Sequence, residues 1–182
     1  MAAVVWKVDP DDGTVATVLE RQGVTSLSIG TEHAIAVTND GEVLTSGDNS
    51  SGQLGRGVVP DGETMADAAD AWSFERVAVP GGAVSRVFAS DDLSGAVTKQ
   101  GQLFLWGSNE FGQCVGHDGT ICARPQRVAD LEGIDVAVGA THVLAVDRRG
   151  QVLSWGSGLY GQLGHGDCDE RRAPETVRAL VG

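Results

Sequence analysis

Two groups of residues have the spacing of metal ligands. Cys114-x-x-His117 followed by Cys122, and His165-x-x-Cys168, bring thiol and imidazole within the few residues over which zinc pairs form. Comparison within the chain gives a plainer reason for both. Cys114 stands where two similar segments carry Leu54 and Leu163, an apolar anchor, and His165 stands where one carries Arg56. No metal site is expected. His33 and His142 also recur at one place in similar segments, whereas a catalytic histidine is singular and needs a neighbouring nucleophile or carboxylate. Gly-x-Ser-x-Gly, His-Glu-x-x-His and the phosphate-cradling Gly-x-x-x-x-Gly-Lys-Ser/Thr are absent. The loops Gly52-Gln53-Leu54-Gly55 and Gly161-Gln162-Leu163-Gly164 lead into irregular chain, without the helix whose N-terminus would hold a pyrophosphate. The expectation is no catalytic residue, no cofactor and no enzyme.

The elements that carry these residues are repeats. Segments beginning at Ser26, Arg86 and Asp135 align with one another. Gly41, Gly101 and Gly150 correspond, as do Gly52, Gly112 and Gly161, with the same two spacings of 60 and then 49 residues. Each unit reads as four short strands. An apolar strand ends near position 30, 90 or 139, and an alternating strand follows, such as Ala34–Val37 or Val143–Val146. A hairpin turn closes on Gly41, Gly101 or Gly150, because such a turn demands a positive φ. A third strand runs through Val43–Leu44, Leu103–Trp106 or Val152–Trp155, and a fourth lies around Val77, Val128 or Val177. Four strands in a unit of about 50 residues suit a propeller blade better than a helical solenoid. The first unit carries extra length from Val58 to Ser73, within which Met65–Ala71 has the composition of either a short helix or an irregular loop.

Charge and composition bound the partners. Thirteen Lys and Arg against 25 Asp and Glu give a formal net charge of −12, which disfavours nucleic acid, whose binding runs on neutralised phosphates. An acidic surface favours solubility and basic protein partners. Three cysteines without framework spacing indicate free thiols and a reducing compartment. The first residues lack the basic and apolar regions of a signal peptide, and no apolar run approaches the ~20 residues that span a bilayer. The expectation is an intracellular chain, cytoplasmic or nuclear, with no membrane contact.

The signature residues Gly30-Thr31-Glu32-His33, Gly139-Ala140-Thr141-His142, Trp106-Gly107-Ser108-Asn109, Trp155-Gly156-Ser157-Gly158 and the two Gly-Gln-Leu-Gly loops resemble the repeat of the regulator of chromosome condensation family. The likeness covers roughly residues 24–180. It implies an all-β fold, a partial β-propeller of about three four-stranded antiparallel blades, where the family's closed ring has about seven. The expected organisation is an N-terminal hairpin or half blade over 1–22, then repeats at about 23–80, 81–129 and 130–182, with an acidic insertion at 58–73. The structural signature then comprises His33, Gly41, Gly52, Gln53, Gly101, Trp106, Gly107, Gly112, Gln113, His142, Gly150, Trp155, Gly156, Gly161 and Gln162. Ser46 replaces the tryptophan in the first repeat and Leu93 the histidine in the second. The insertion, with Asp61, Glu63, Asp67, Asp70 and Trp72, is the candidate partner-binding loop, since specificity sits on loops grafted to a scaffold.

A blade buries both faces against neighbours, so an open arc leaves apolar faces for self-association, for another protein, or for further repeats. The expected function is a non-enzymatic protein-interaction scaffold, a subunit of a larger assembly, with a possible homo-oligomer as one form. The resemblance also implies two alternatives. One is guanine-nucleotide exchange on a small GTPase; the other is substrate recruitment of the kind seen in ubiquitin-ligase-associated propellers. The Gly-Trp-Arg-His-Thr context of the family's plant ultraviolet photoreceptor is absent.

Overall fold

Runs of Val, Ile, Leu and Thr with glycine between them make short pleated strands, because β-branched residues favour the extended backbone and glycine permits the turns. In the computed structural model the described residues are 6–8, 15–17, 23–57, 74–132 and 135–180. Strands β1 (Trp6–Val8) and β2 (Val15–Thr17) pair antiparallel. Three meandering antiparallel sheets follow. Blade 1 contains β3 (Val24–Ile29), β4 (His33–Thr38), β5 (Val43–Gly47) and β6 (Glu75–Val77). Blade 2 contains β7 (Val84–Ser90), β8 (Leu93–Thr98), β9 (Gln102–Ser108) and β10 (Ile121–Glu132). Blade 3 contains β11 (Asp135–Val138), β12 (His142–Val146), β13 (Val152–Gly156) and β14 (Arg171–Thr176). A 3-10 turn at Arg178–Leu180 comes last. The run Met65–Ala71 lies outside the described residues. Among the described residues no helix is long and apolar enough to cross a membrane.

One register governs all three sheets. His33 faces Gly47, Leu93 faces Gly107, and His142 faces Gly156 across the second and third strands. Residues can therefore be compared blade by blade at fixed offsets. The turn glycines have φ of +82° (Gly41), +84° (Gly101) and +77° (Gly150), the left-handed region that side chains avoid. A second repeated device is a bulge in the first strand, after Val24 in blade 1 and after Val84 in blade 2. The bulged Thr25 and Ser85 each donate a hydroxyl to the adjacent strand, at Val37 O (3.2 Å) and Val97 O (3.0 Å). The hydroxyl gives the carbonyl a donor where the ladder is locally disrupted.

The pleat sends alternate residues to opposite faces. Ile35, Val37 and Val43 of blade 1 join one continuous core with Leu103, Phe104, Leu105 and Trp106 of blade 2 and Val143 and Trp155 of blade 3. Ala36 and Leu44, on the other face of blade 1, form a separate small cluster with Val24, Leu27 and Phe74. The main core is thus the packing between blades.

That packing gives the same residue type different weight in different blades. Val37 is fully buried, whereas Val146, its counterpart in blade 3, is 37% exposed. Removing two methyl-sized groups from a sealed site costs about 2 kcal/mol, and from an exposed one about 0.5 kcal/mol or less. Urea denaturation of Val37→Ala and Val146→Ala should show that ordering. Equal losses would mean that the two faces are equally covered.

Candidate functional site

The polar side chains singled out by repetition meet at the seams between blades. At the first seam the Trp106 indole, from β9, donates Nε1–H to the carbonyl of Gln53 in the loop after β5 (2.9 Å). Ser94 Oγ donates to the same carbonyl (2.8 Å) and lies 2.8 Å from His33 Nε2. The serine's one proton goes to the carbonyl, so it must accept from Nε2–H, which fixes the imidazole as its Nε2 tautomer. His33 Nδ1 is then a buried nitrogen with no well-aligned hydrogen bond among the described residues. Burial lowers the His33 pKa to about 4, against the opposing pull of the Asp48 carboxylate and of the Asp91 backbone and carboxylate.

The Gln53 side chain holds its own loop and reaches over the seam. Its Oε1 accepts from Ser51 N (2.8 Å), and its Nε2 donates to Asp48 Oδ2 (2.7 Å) and to Asp92 Oδ1 of blade 2 (3.3 Å). Gly52, at φ +76°, lets the loop press on β10: a Cβ there would stand 2.7 Å from Ala123 Cα. No other residue type fits that approach.

The second seam repeats the plan with different polar pairs. Trp155 Nε1 donates to Gln113 O (2.9 Å), and Gln113 Oε1 accepts from Phe111 N (2.9 Å). A Cβ on Gly112 would meet Arg172 Cα at 2.9 Å. The His33–Ser94 pair becomes Leu93 against Val143, both fully buried. The loss of histidine from the second repeat is therefore matched by loss of the serine from the third. Asp48 and Asp92 give way to Ser108 and Thr141 at the equivalent positions, and Gln113 Nε2 has no partner among the described residues. In blade 3 Gln162 Oε1 holds Tyr160 N (2.8 Å), the same loop tie.

The loops beside the first seam gather negative charge. Thr31 ties its loop to the next blade through its hydroxyl on Asp91 Oδ1 (2.7 Å) and its N–H on Asp91 O (3.3 Å). Asp91 itself adopts φ +48°, a conformation that aspartate tolerates better than most residues. Partial burial raises the Asp92 carboxyl, and the charges of Asp91, Asp48 and Glu32 push it further, while the Ser51 hydroxyl opposes them.

The metal-type residues do not converge on one point among the described residues. Cys114 and Cys122 are buried together in blade 2; their mutual hydrogen bond and burial hold the Cys114 proton on, and the same bond pulls Cys122 down. His117 Nδ1 accepts from Gly119 N (3.1 Å), His165 Nε2 meets Ser154 Oγ (3.0 Å) in blade 3, and Cys168 is exposed. Among the described residues no group of three His, Cys, Asp or Glu is placed to hold an ion. The candidate partner loop, Asp61, Glu63, Asp67, Asp70 and Trp72, lies outside the described residues. Sequence reasoning missed Asp48, Asp92 and Ser94; Asp92 and Ser94 have their partners in another repeat, which leaves no local signal, and Asp48 bonds Gln53 within its own loop.

Comparison with known proteins places this geometry. Two models described as the regulator of chromosome condensation (RCC1) repeat match, one over residues 24–53 and 134–162, the other over 100–146 and 149–182. The chain is similar to the ultraviolet-B receptor UVR8 of Arabidopsis thaliana, 33% identical over 161 residues, covering 86% of this chain and 34% of that protein. It is similar to human Protein RCC2, 30% identical, covering 88% of this chain and 34% of the relative. It also matches the human E3 ubiquitin-protein ligase HERC2, 31% identical, covering 84% of this chain and 3% of the ligase. Among solved structures, human WBSCR16 superposes with a TM-score of 0.75 at 25% identity, covering 91% of this chain and 41% of that one. Prp20p of Saccharomyces cerevisiae, described for its binding to Gsp1p and histones, gives 0.76 at 21%, covering 92% and 41%, a likeness of fold. The chain spans about a third of the length of UVR8 and RCC2.

Two expectations follow from the seams. Trp106→Phe leaves Gln53 O with Ser94, whereas Trp155→Phe removes the one side-chain donor shown for Gln113 O. A stranded buried acceptor costs about 1–3 kcal/mol, so in denaturant Trp155→Phe should lose about 1 kcal/mol more than Trp106→Phe; the reverse order would contradict the geometry. For His33, the folded pKa lies below the unfolded value of 6.5. Stability is therefore complete above pH 6.5 and falls as pH drops toward 4, by at most about 3 kcal/mol. Urea midpoints at pH 7 and 4.5 should fall further for wild type than for His33→Gln.

Proposed function

The chain belongs to the regulator of chromosome condensation (RCC1) repeat family, and on that footing we propose that it is a non-enzymatic protein-binding scaffold that works as part of a larger assembly. The observation that carries this reading is the use to which its polar side chains are put. His33, Ser94, Gln53 and Trp106 bond to one another or to the loop carbonyl of the neighbouring blade, and Trp155 bonds to Gln113 O. A histidine and a serine in contact have the look of a nucleophile and its base, but the serine proton is committed to a buried carbonyl and the second seam replaces both residues with Leu93 and Val143. An array of sheets with acidic loops beside its first seam suits holding a basic protein surface. An intracellular role is in keeping with its free thiols.

A second reading is exchange activity on a small GTPase. It is favoured by the fold shared with Prp20p, which is described with binding to Gsp1p. Recruitment of substrates to a ligase is a third, suggested by the likeness to HERC2; it is a binding role and agrees with a scaffold.

The deciding measurement is release of labelled GDP from a panel of small GTPases with the chain at catalytic amounts. The scaffold reading expects the spontaneous rate within about twofold, with affinity capture from the native source yielding a stoichiometric protein partner. Acceleration of tenfold or more would replace it with exchange activity.

A further inference from the structure

Three of the 13 Lys and Arg in this acidic chain line one cavity. It is an open pocket of about 500 Å³ beside the first seam, between the loop after β5, the strand β6 and β10 of the next blade. Arg56 of the loop, Arg76 of β6 and Arg124 of β10 stand round it, and Glu75 is the acid among its described lining residues. Gly55, which also lines it, has Trp106 Nε1 2.7 Å from a would-be Cβ, so the cavity abuts the indole that closes the seam.

The three guanidinium groups are engaged to different degrees. Arg56 is held in the wall: its Nη2 donates to Thr45 O, and its Nη1 pairs with Glu75 Oε2 at 3.2 Å. Arg76 meets Glu42 Oε1 at 2.8 Å with 74% of its side chain exposed, so water competes for that pair and the arginine can turn to another anion. The Arg124 guanidinium makes no hydrogen bond or ion pair among the described residues. It lies over Gly57, where a Cβ would stand 3.2 Å from Nη2.

The blade plan does not require this cluster. By strand register Gln126 and Arg127 of β10 hold the places of Glu75 and Arg76. The same register makes Ala173 of β14 the counterpart of Arg124, and Gly116 stands two residues past Cys114 as Arg56 does past Leu54. The matching place beside the second seam therefore keeps one cation where the first has three. Those three against the Glu75 carboxylate leave the lining at +2 in a chain of −12. Planar guanidinium forks grip phosphate oxygens in pairs, and a phosphate monoester at neutral pH carries close to two negative charges. The cavity has the dimensions of a small-ligand site, and Ala78, Pro80 and Pro125 give it an apolar wall for the carbon body that bears the phosphate. We propose that this pocket binds a phosphate monoester, with Arg124 and Arg76 on its oxygens. The site goes beyond the scaffold reading and does not rest on it.

Calorimetric titration of the full chain with phenyl phosphate, at neutral pH and low salt, tests this, with benzoate as the singly charged counterpart. Phenyl phosphate should saturate one site and bind at least about tenfold more tightly than benzoate. Arg124→Gln should weaken it at least about tenfold. Arg127→Gln removes the same charge from the same strand outside the pocket and should change the affinity by less than about twofold. Glu75→Gln should tighten binding about threefold or more by removing the carboxylate that repels the anion, a gain that misfolding does not produce. A short phosphoserine peptide that binds more tightly than phenyl phosphate would identify the source as a phosphorylated protein segment, and one that binds more weakly a small phosphorylated molecule; either supports the site. The absence of a saturable site, equal binding of benzoate, or equal losses from Arg124→Gln and Arg127→Gln would overturn the proposal.

Discussion

A small antiparallel sheet with two apolar faces cannot bury both by itself, and every other feature of this molecule answers that constraint. Sheets of four short strands, most of them four to seven residues long, make too thin a layer for a private core. The hydrophobic residues of each blade accordingly belong to the seam with its neighbour. The indole N–H on a loop carbonyl fixes where that neighbour sits, because the bond is directional while the apolar packing around it is not. The loop glycines at 52 and 112 let the backbones come close enough for the bond to form.

Within this common plan each seam has its own lock. The first is polar, with His33, Ser94, Gln53, Asp48 and Asp92 spanning it. The second is apolar at the same place, with Leu93 on Val143. A blade carrying one half of a lock fits poorly on the other, since a histidine against valine leaves its Nε2–H without an acceptor and a serine against leucine loses the imidazole that donates to its oxygen. Order along the array is therefore written in side-chain pairs as well as in chain connectivity. The polar lock is also the one that responds to acid, through the imidazole it keeps neutral.

The fold was legible in the residues because its signals are local. Turn glycines at equal spacings, alternating strands and the Gly-Gln-Leu-Gly loops each sit within a few neighbours, and they were enough to anticipate all-β blades. The role of Trp106 was only half legible: its recurrence marked it as core, but its acceptor is Gln53, 53 residues away. Ser94 and Asp92 gave no signal, since their partners lie 61 and 39 residues off and they are absent from the other repeats. Leu93 read as a departure from pattern, and only the packing showed Val143 as its counterpart. The bulge hydroxyls of Thr25 and Ser85 were missed because threonine and serine in a strand look ordinary.

The account stands on the indole bonds across the seams, and amide-type exchange of the indole protons reads them directly. In a nitrogen–proton spectrum, with assignments from single Trp→Phe variants, the Nε1–H signals of Trp106 and Trp155 should exchange with deuterated solvent at least about a hundredfold more slowly than a free indole, as protons in cooperative core structure do. Exchange of either proton at the rate of an exposed side chain would show that its seam is not closed, and the blade-on-blade architecture argued from it would fail.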